Sequence, residues 1–151
     1  MNRTLSSQNR TLHNPLQSQW RIKKYMTDSL QDLADKYTAA WSSQNPASVA
    51  AFFSPNGSLT VNDGAAAVGR EAIAQVAQSF MAAFPDLQLT MDGLVTDGEN
   101  SIYRWTLEGT YSATGKRVRI SGYEEWIIGA DGLVSRSLGH FDADDYARQL
   151  V

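Results

Sequence analysis

Three residues of this chain are singled out by type and position as candidates to move a proton or hold a developing charge: Tyr37, Asp63 and His140. His140 follows Gly139 at the end of an alternating segment, and its reference pKa near 6.5 suits it to acid–base work close to neutrality. The plainer reading is a structural or exposed histidine on a strand. Asp63 stands in Asn62-Asp63-Gly64, which is ordinary turn chemistry. As a general base it would need partial burial, raising its pKa toward neutral. Tyr37 falls on the apolar face of a helical pattern, where a tyrosine usually fills core and hydrogen-bonds once. Its hydroxyl would equally suit a ligand carbonyl. Trp41 lies one turn further along that face. Adjacent Glu124 and Glu125 must point to opposite sides of a strand, so one should face inward. A lone inward carboxyl is costly unless hydrogen-bonded, which makes it a candidate pocket group; the plain alternative is a wet strand end with both solvated.

Other chemistries are excluded or unsupported. The chain has no cysteine, so disulfides, thiolate nucleophiles and Cys-ligated zinc are out. Two histidines in 151 residues make a multi-histidine metal site improbable, and no cofactor is expected. No phosphate-binding loop or Ser-His-Asp set is present. A net charge of −3 argues against a nucleic-acid partner. No apolar run approaches the roughly 18 residues of a membrane span.

The elements that must position these residues follow from periodicity and punctuation. Residues 1–27 are polar, carry Arg3, Arg10, Arg21, Lys23 and Lys24, and lack both an apolar signal core and apolar periodicity. They are expected to be a disordered, dispensable arm. Arg and Ser without acids is also a transit-peptide composition, and Met26 is a second candidate start. The default location is the cytoplasm. Leu30, Leu33, Ala34, Tyr37, Ala40 and Trp41 predict a helix over Asp28–Gln44. Pro46, capped by Asn45, opens a short helix over Ala47–Phe53. Ser58–Asn62 alternates as a strand. Gly69 to Phe84 reads as a helix with Ile73, Val76, Ala77, Phe80 and Met81 on its apolar face, ended by Pro85. Four strands follow, over 86–96, 101–112, 117–128 and 133–141, separated by Asp97-Gly98, Thr114-Gly115 and Asp131-Gly132. Asp142 caps a last helix to Leu150. This order predicts an α+β fold in which a curved antiparallel sheet, interrupted by glycines, wraps a long N-terminal helix and leaves a conical cavity.

Strand parity assigns the walls. Tyr103, Trp105 and Leu107 alternate on the apolar, cavity side, so Arg104 points outward. On the next strand Ser121, Tyr123 and Glu125 share one face and Ile120, Gly122, Glu124 and Trp126 the other, without a clear inward side. Trp126 is expected outward with Glu124, in a homodimer contact through the outer sheet face. The candidate site is therefore Tyr37, Asp63 and His140 as chemical groups, lined by Trp41, Tyr103, Trp105, Ser121 and Glu125.

The stretch from Tyr37 to Leu89, with "Phe-Phe-x-Pro-x-Gly", "Gly-Arg-x-x-Ile" and "Phe-Pro-Asp", is similar to the opening of SnoaL-like members of the nuclear transport factor two superfamily. YRWTLEGTY, SGYEEW, ADGLV and GHFDADDYARQL extend the resemblance across 28–151, the domain that follows the arm. It implies the cone-shaped fold of nuclear transport factor two, ketosteroid isomerase and SnoaL-like polyketide cyclases, also called a cystatin-like roll. By that resemblance Tyr37 matches the oxyanion-donor tyrosine of ketosteroid isomerases, and Asp63 is the nearest match to their base. Ser121 stands where they carry a second, protonated acid, so that donor pair is not reproduced. The Arg-x-Asp of limonene epoxide hydrolases reads Arg104-Trp105-Thr106 here, without the acid. The cyclases' late aspartate meets His140 and Asp142, and neither matches cleanly. A fold does not fix a function. The expectation is a pocket for a small, largely apolar molecule, with two readings level: a cofactor-free isomerase or cyclase acting by proton transfer on a carbonyl compound, and a non-catalytic ligand-binding or dimerisation module. Hydrolase or dehydratase chemistry stands behind both.

Overall fold

A computed structural model describes residues 15–97 and 99–151. Its elements run α1 (Pro15–Ser42), α2 (Pro46–Ala50), β1 (Phe53–Val61), β2 (Ala67–Val68), α3 (Arg70–Ala83), β3 (Gln88–Asp97), β4 (Asn100–Thr110), β5 (Arg117–Ile128), β6 (Val134–Phe141) and α4 (Ala143–Leu150). The expected order of helices and strands is present, with the two-residue β2 added. The chain divides into two units, residues 1–30 and 31–151.

α1 begins at Pro15, well before Asp28, so residues 15–27 of the expected arm are helical. The physical reason is local. Proline at the first helical position is already set for helical φ, and the Leu, Gln, Arg and Lys that follow are good helix formers without any apolar stripe. In this first unit Leu16, Trp20, Ile22 and Tyr25 are exposed, and Lys24 Nζ sits 5.5 Å from the Trp20 ring centroid. The rest of the expected arm, residues 1–14, lies outside the described residues.

In the second unit, six strands form one curved, open sheet in the order β2-β1-β6-β5-β4-β3. β3 to β6 are an antiparallel meander, but β1 runs parallel to β6, from Phe53↔Val134 to Val61↔Gly139. The sheet is thus antiparallel except at this one pair. The caps predicted at Asn45 and Asp142 are present, while Asp28 and Ser29, expected to cap the first helix, lie inside α1: the Asn45 side chain accepts from Ala47 N, and Asp142 accepts from Asp144 N and Asp145 N at 3.0 Å. β3 bulges between Met91 and Gly93, which bends the strand and exposes Asp92 beside β4.

The core follows the predicted helix stripe. Ala34, Tyr37, Ala40 and Trp41 of α1 are buried, as are Ile73, Ala77 and Met81 of α3. On β4, Tyr103, Trp105 and Leu107 are buried and Arg104 is exposed, as parity required. On β5 the structure decides what the pattern left open: Val118, Ile120, Glu124 and Trp126 face inward, while Arg119 and Ser121 are exposed. Trp126 is fully buried, which corrects its expected outward placement. Two features fix this parity. Tyr103 stacks on Trp126 with centroids 4.7 Å apart, and Tyr37 meets Trp126 edge-on at 5.2 Å. A tryptophan in that aromatic cluster removes far more apolar area from water than it would on the outer face.

Candidate active site in the sheet cavity

Tyr37 sits at the centre of the second unit's aromatic packing, with Trp41, Phe52, Phe53, Tyr103 and Trp126 around its ring at 5.2–6.4 Å. Its hydroxyl donates to Glu124 Oε1 at 2.9 Å. Ser137, across the β5–β6 ladder, donates to the same oxygen at 2.7 Å. Among the described residues Glu124 Oε2 accepts no hydrogen bond, and Glu124 lines the cavity. One carboxyl oxygen is therefore fixed by two hydroxyls, and the other has no such donor among the described residues. Trp126, two residues on and on the same strand face, has no hydrogen-bond partner for its buried Nε1 among the described residues, although the indole is close enough to favour the charged carboxylate.

Burial pushes the Glu124 carboxyl above its ordinary 4.5, against the opposing pull of Ser137, Tyr37 and Trp126. The same burial, and then the charge of Glu124, push the Tyr37 phenol well above its usual range, so it stays a donor. Tyr103 is likewise raised by burial and shares a short hydrogen bond with Thr38 Oγ1.

The cavity beside Glu124 has a volume of about 60 Å³. That is several times what one water molecule needs. Its walls come from eight elements. Trp41 of α1 and Phe80 of α3 meet at 6.1 Å on one side. Trp105, Phe141 and Tyr146 form a chain of rings on the other, at 6.0 and 5.4 Å. Leu59, Leu89, Leu107 and Ile120 fill much of the rest. Among the described residues, Glu124 is the one carboxyl in the lining, and no basic side chain joins it. Gly122 holds the Trp105 wall in place: a Cβ there would stand 2.6 Å from Trp105 Cζ2 and 2.3 Å from the His140 carbonyl oxygen, so only glycine lets the indole lie against β5.

The residues singled out from the sequence divide between the two faces of the sheet. Tyr37, Trp41, Tyr103 and Trp105 are gathered on the inner side as expected, with Trp41 and Trp105 in the cavity wall itself and Tyr37 and Tyr103 packed behind it. His140 is on the outer side, where its ring stacks on Tyr123 at 4.8 Å and its Nε2 lies 3.0 Å from Glu125 Oε2. Tyr37 and His140 therefore cannot serve one cavity, and the predicted grouping of the two is corrected. The reason is parity: on β6, Gly139 and Phe141 line the cavity, so the residue between them points away. Glu125 points outward for the same reason, and Glu124 takes the inward place. Ser121 is exposed on the outer face, bonded to Thr106, whose hydroxyl donates to Asp92. Asp63 is exposed in the turn after β1, which Asn62 starts with φ 50°; this is the turn reading, not the base reading.

Residues 34–137 match the family model for the SnoaL-like domain. The chain belongs to this family. Its fold recurs in solved structures: a polyketide cyclase candidate from Xanthomonas campestris pv. campestris is 18% identical over 83% of this chain and 99% of that one, with a TM-score of 0.75. A protein of ketosteroid isomerase-like fold from Catenulispora acidiphila, solved with trimethylamine, is 15% identical over 78% and 90%, with a TM-score of 0.71. TsrD from Streptomyces laurentii is 25% identical over 82% and 95%, also with a TM-score of 0.71. No curated protein matches. Within the SnoaL-like domain described here, the acid at the cavity is Glu124 on β5. No described helix is long and apolar enough to cross a membrane.

Proposed function

We propose that this SnoaL-like domain binds a small, largely apolar molecule against Glu124 and moves a proton on it, as a cofactor-free isomerase or cyclase would on a carbonyl compound. The observation that carries the reading is the state of Glu124: one carboxyl lining an otherwise apolar cavity, with Oε1 held by Tyr37 and Ser137 and no hydroxyl on Oε2 among the described residues. A carboxyl whose pKa is raised toward neutrality by burial is suited to take and return protons near working pH. Its ionised form would abstract a proton from the carbon next to a carbonyl, and the resulting acid would return it to the product. Tyr37 orients the base in this scheme; its hydroxyl is spent on Glu124 and is not an enolate donor. With no basic side chain in the wall, an anionic ligand would find no counter-charge, so the ligand is taken as neutral.

The second reading is a binding module without turnover. It is favoured by the wall itself, which offers no second unbonded acid or base apart from the Tyr146 phenol. Incubating the protein with small cyclic ketones in deuterium oxide separates the two. Deuterium entering the α-position with the native protein, but not with Glu124→Gln, supports proton transfer. Saturable binding without exchange supports the module, and neither result rejects both. The same proposal has the chain act in the cytoplasm as a homodimer paired through the outer sheet face. With Trp126 buried, that face offers Tyr123, Leu138 and His140 instead, all half-buried.

A further inference from the structure

Trp126 is a fully buried residue whose indole N–H has no partner among the described residues, and it is the one buried side-chain nitrogen or oxygen left so. Leaving a buried donor unpaired costs about 1–3 kcal/mol, so such a group calls for a reason. The indole is not placed by its N–H. Tyr103 stacks flat on it, 4.7 Å away and tilted 11°, and Tyr37 closes on it at 86°. An indole N–H lies in the ring plane, so the Tyr103 face stacked on it cannot accept from it. A stronger acceptor within reach is the Glu124 carboxyl, two residues back on the same face of β5.

That carboxyl is short of donors only in one state. As a neutral acid it keeps a proton of its own and is served by Tyr37 and Ser137. As a carboxylate it offers four lone-pair sites, and two hydroxyls on Oε1 leave it half satisfied. We infer that Trp126 is a positioning residue whose Nε1–H closes onto the Glu124 carboxylate as the third donor when that group ionises. The inference rests on the reading of Glu124 as the working group of the cavity. It adds a dependence of that group's basicity on an indole outside the cavity wall. The other groups facing Glu124 leave this assignment intact. α1 presents Tyr37, β4 Tyr103 and α4 Tyr146, all phenols raised by burial and uncharged when Glu124 titrates. β6 presents Ser137, and α3, β1 and β3 turn only apolar side chains to the cavity.

The test uses the intact chain labelled with ¹³C at the glutamate carboxyls and ¹⁵N at the indoles, with no ligand. The Glu124 carboxyl signal is assigned by its loss in Glu124→Gln and followed with pH in the native protein and in Trp126→Phe, which keeps a stacked ring and deletes the N–H. The expected result is an upward move of the Glu124 midpoint by about one unit in Trp126→Phe, since a hydrogen bond to a charged group is lost. In the native protein the Trp126 indole proton is expected to move downfield with the same midpoint, and to lose that transition in Glu124→Gln. An unmoved or lowered midpoint in Trp126→Phe overturns the inference. Should that variant fail to fold, an indole signal indifferent to Glu124 ionisation overturns it alone. Because no ligand is involved, the outcome is separable from the proton-transfer reading: ketone exchange with an indifferent Trp126 sinks only the indole's role.

Discussion

Replacing Glu124 with Gln should change not only the stability of this domain but how that stability depends on pH. In the folded chain the carboxyl is raised from 4.5, chiefly by burial. A group raised on folding contributes stability that is fully present below its unfolded value and is lost as pH rises through its folded value. Between those two points the native protein should lose stability at up to about 1.4 kcal/mol per pH unit, the slope for one proton held in the folded state and not in the unfolded one. In a chain of this length that slope is roughly 3–6 °C of melting temperature per pH unit. Glu124→Gln keeps a carbonyl oxygen for the Tyr37 and Ser137 hydroxyls and cannot ionise. The new amide adds a cost that does not vary with pH, and all other titrating groups cancel in the comparison. Urea unfolding of both proteins from pH 4 to pH 8 gives the difference directly. The variant should gain on the native protein steadily from about pH 4.5 upward, then level off above the folded midpoint. A difference that is flat across this range, or a variant that loses ground as pH rises, refutes the account of Glu124 as a desolvated acid.

Four further outcomes are expected. Gly122→Ala should destabilise the domain by about 1–3 kcal/mol and change Trp105 fluorescence, because the new Cβ meets the Trp105 ring and the His140 carbonyl; melting and emission spectra read both. Tyr37→Phe should retain the fold, since its five ring neighbours remain, and cost about 1–2 kcal/mol in chemical denaturation for the donor lost from a buried acid. Removing residues 1–27 should leave the melting temperature within a few degrees, the side chains of Leu16, Trp20, Ile22 and Tyr25 being exposed; a larger loss shows that the segment packs on the domain. Light scattering at micromolar concentration should give the mass of a dimer, and a monomer mass rejects the outer-face pairing.

Much of the architecture was legible because punctuation and periodicity agree along this chain. Asn45-Pro46, Pro85 and the glycine turns cut the elements close to their true ends, and β4 reads cleanly because Tyr103, Trp105 and Leu107 alternate with Arg104, Thr106 and Glu108. β5 could not be read that way. Each of its faces carries one of the adjacent glutamates together with an aromatic residue, Tyr123 or Trp126, so alternation does not say which is dry. Only the packing of Trp126 between Tyr103 and Tyr37 decides it. His140 attracted notice by residue type, but its direction is set by Gly139 and Phe141 on either side. The signal for Glu124 was present as a parity argument; what the sequence lacked was the pairing with Ser137 across β6 and with Tyr37 from α1. The start of α1 was missed for a different reason, since a helix without an apolar stripe leaves no periodic trace. The parallel β1–β6 pair leaves none either, because element order does not state which strands become neighbours.

That parallel pair has a consequence for how the chain is made. β3 to β6 join successive hairpins, whose ends are brought together over short loops. β1 must wait for β6: Val61 and its partner Gly139 are separated by most of the domain. Closing so long a loop costs more entropy than closing a hairpin and is repaid only when the pair has formed. On a ribosome, β1 and the helix packed on it therefore emerge long before their partner strand exists. The edge of β1 that will pair with β6 stays open through the synthesis of the whole meander. The cavity, whose wall needs Leu59 on one side and Phe141 and Tyr146 on the other, is the last thing to be assembled. Chains halted anywhere before β6 should expose that apolar strand edge to aggregation, and chains released just after it should not.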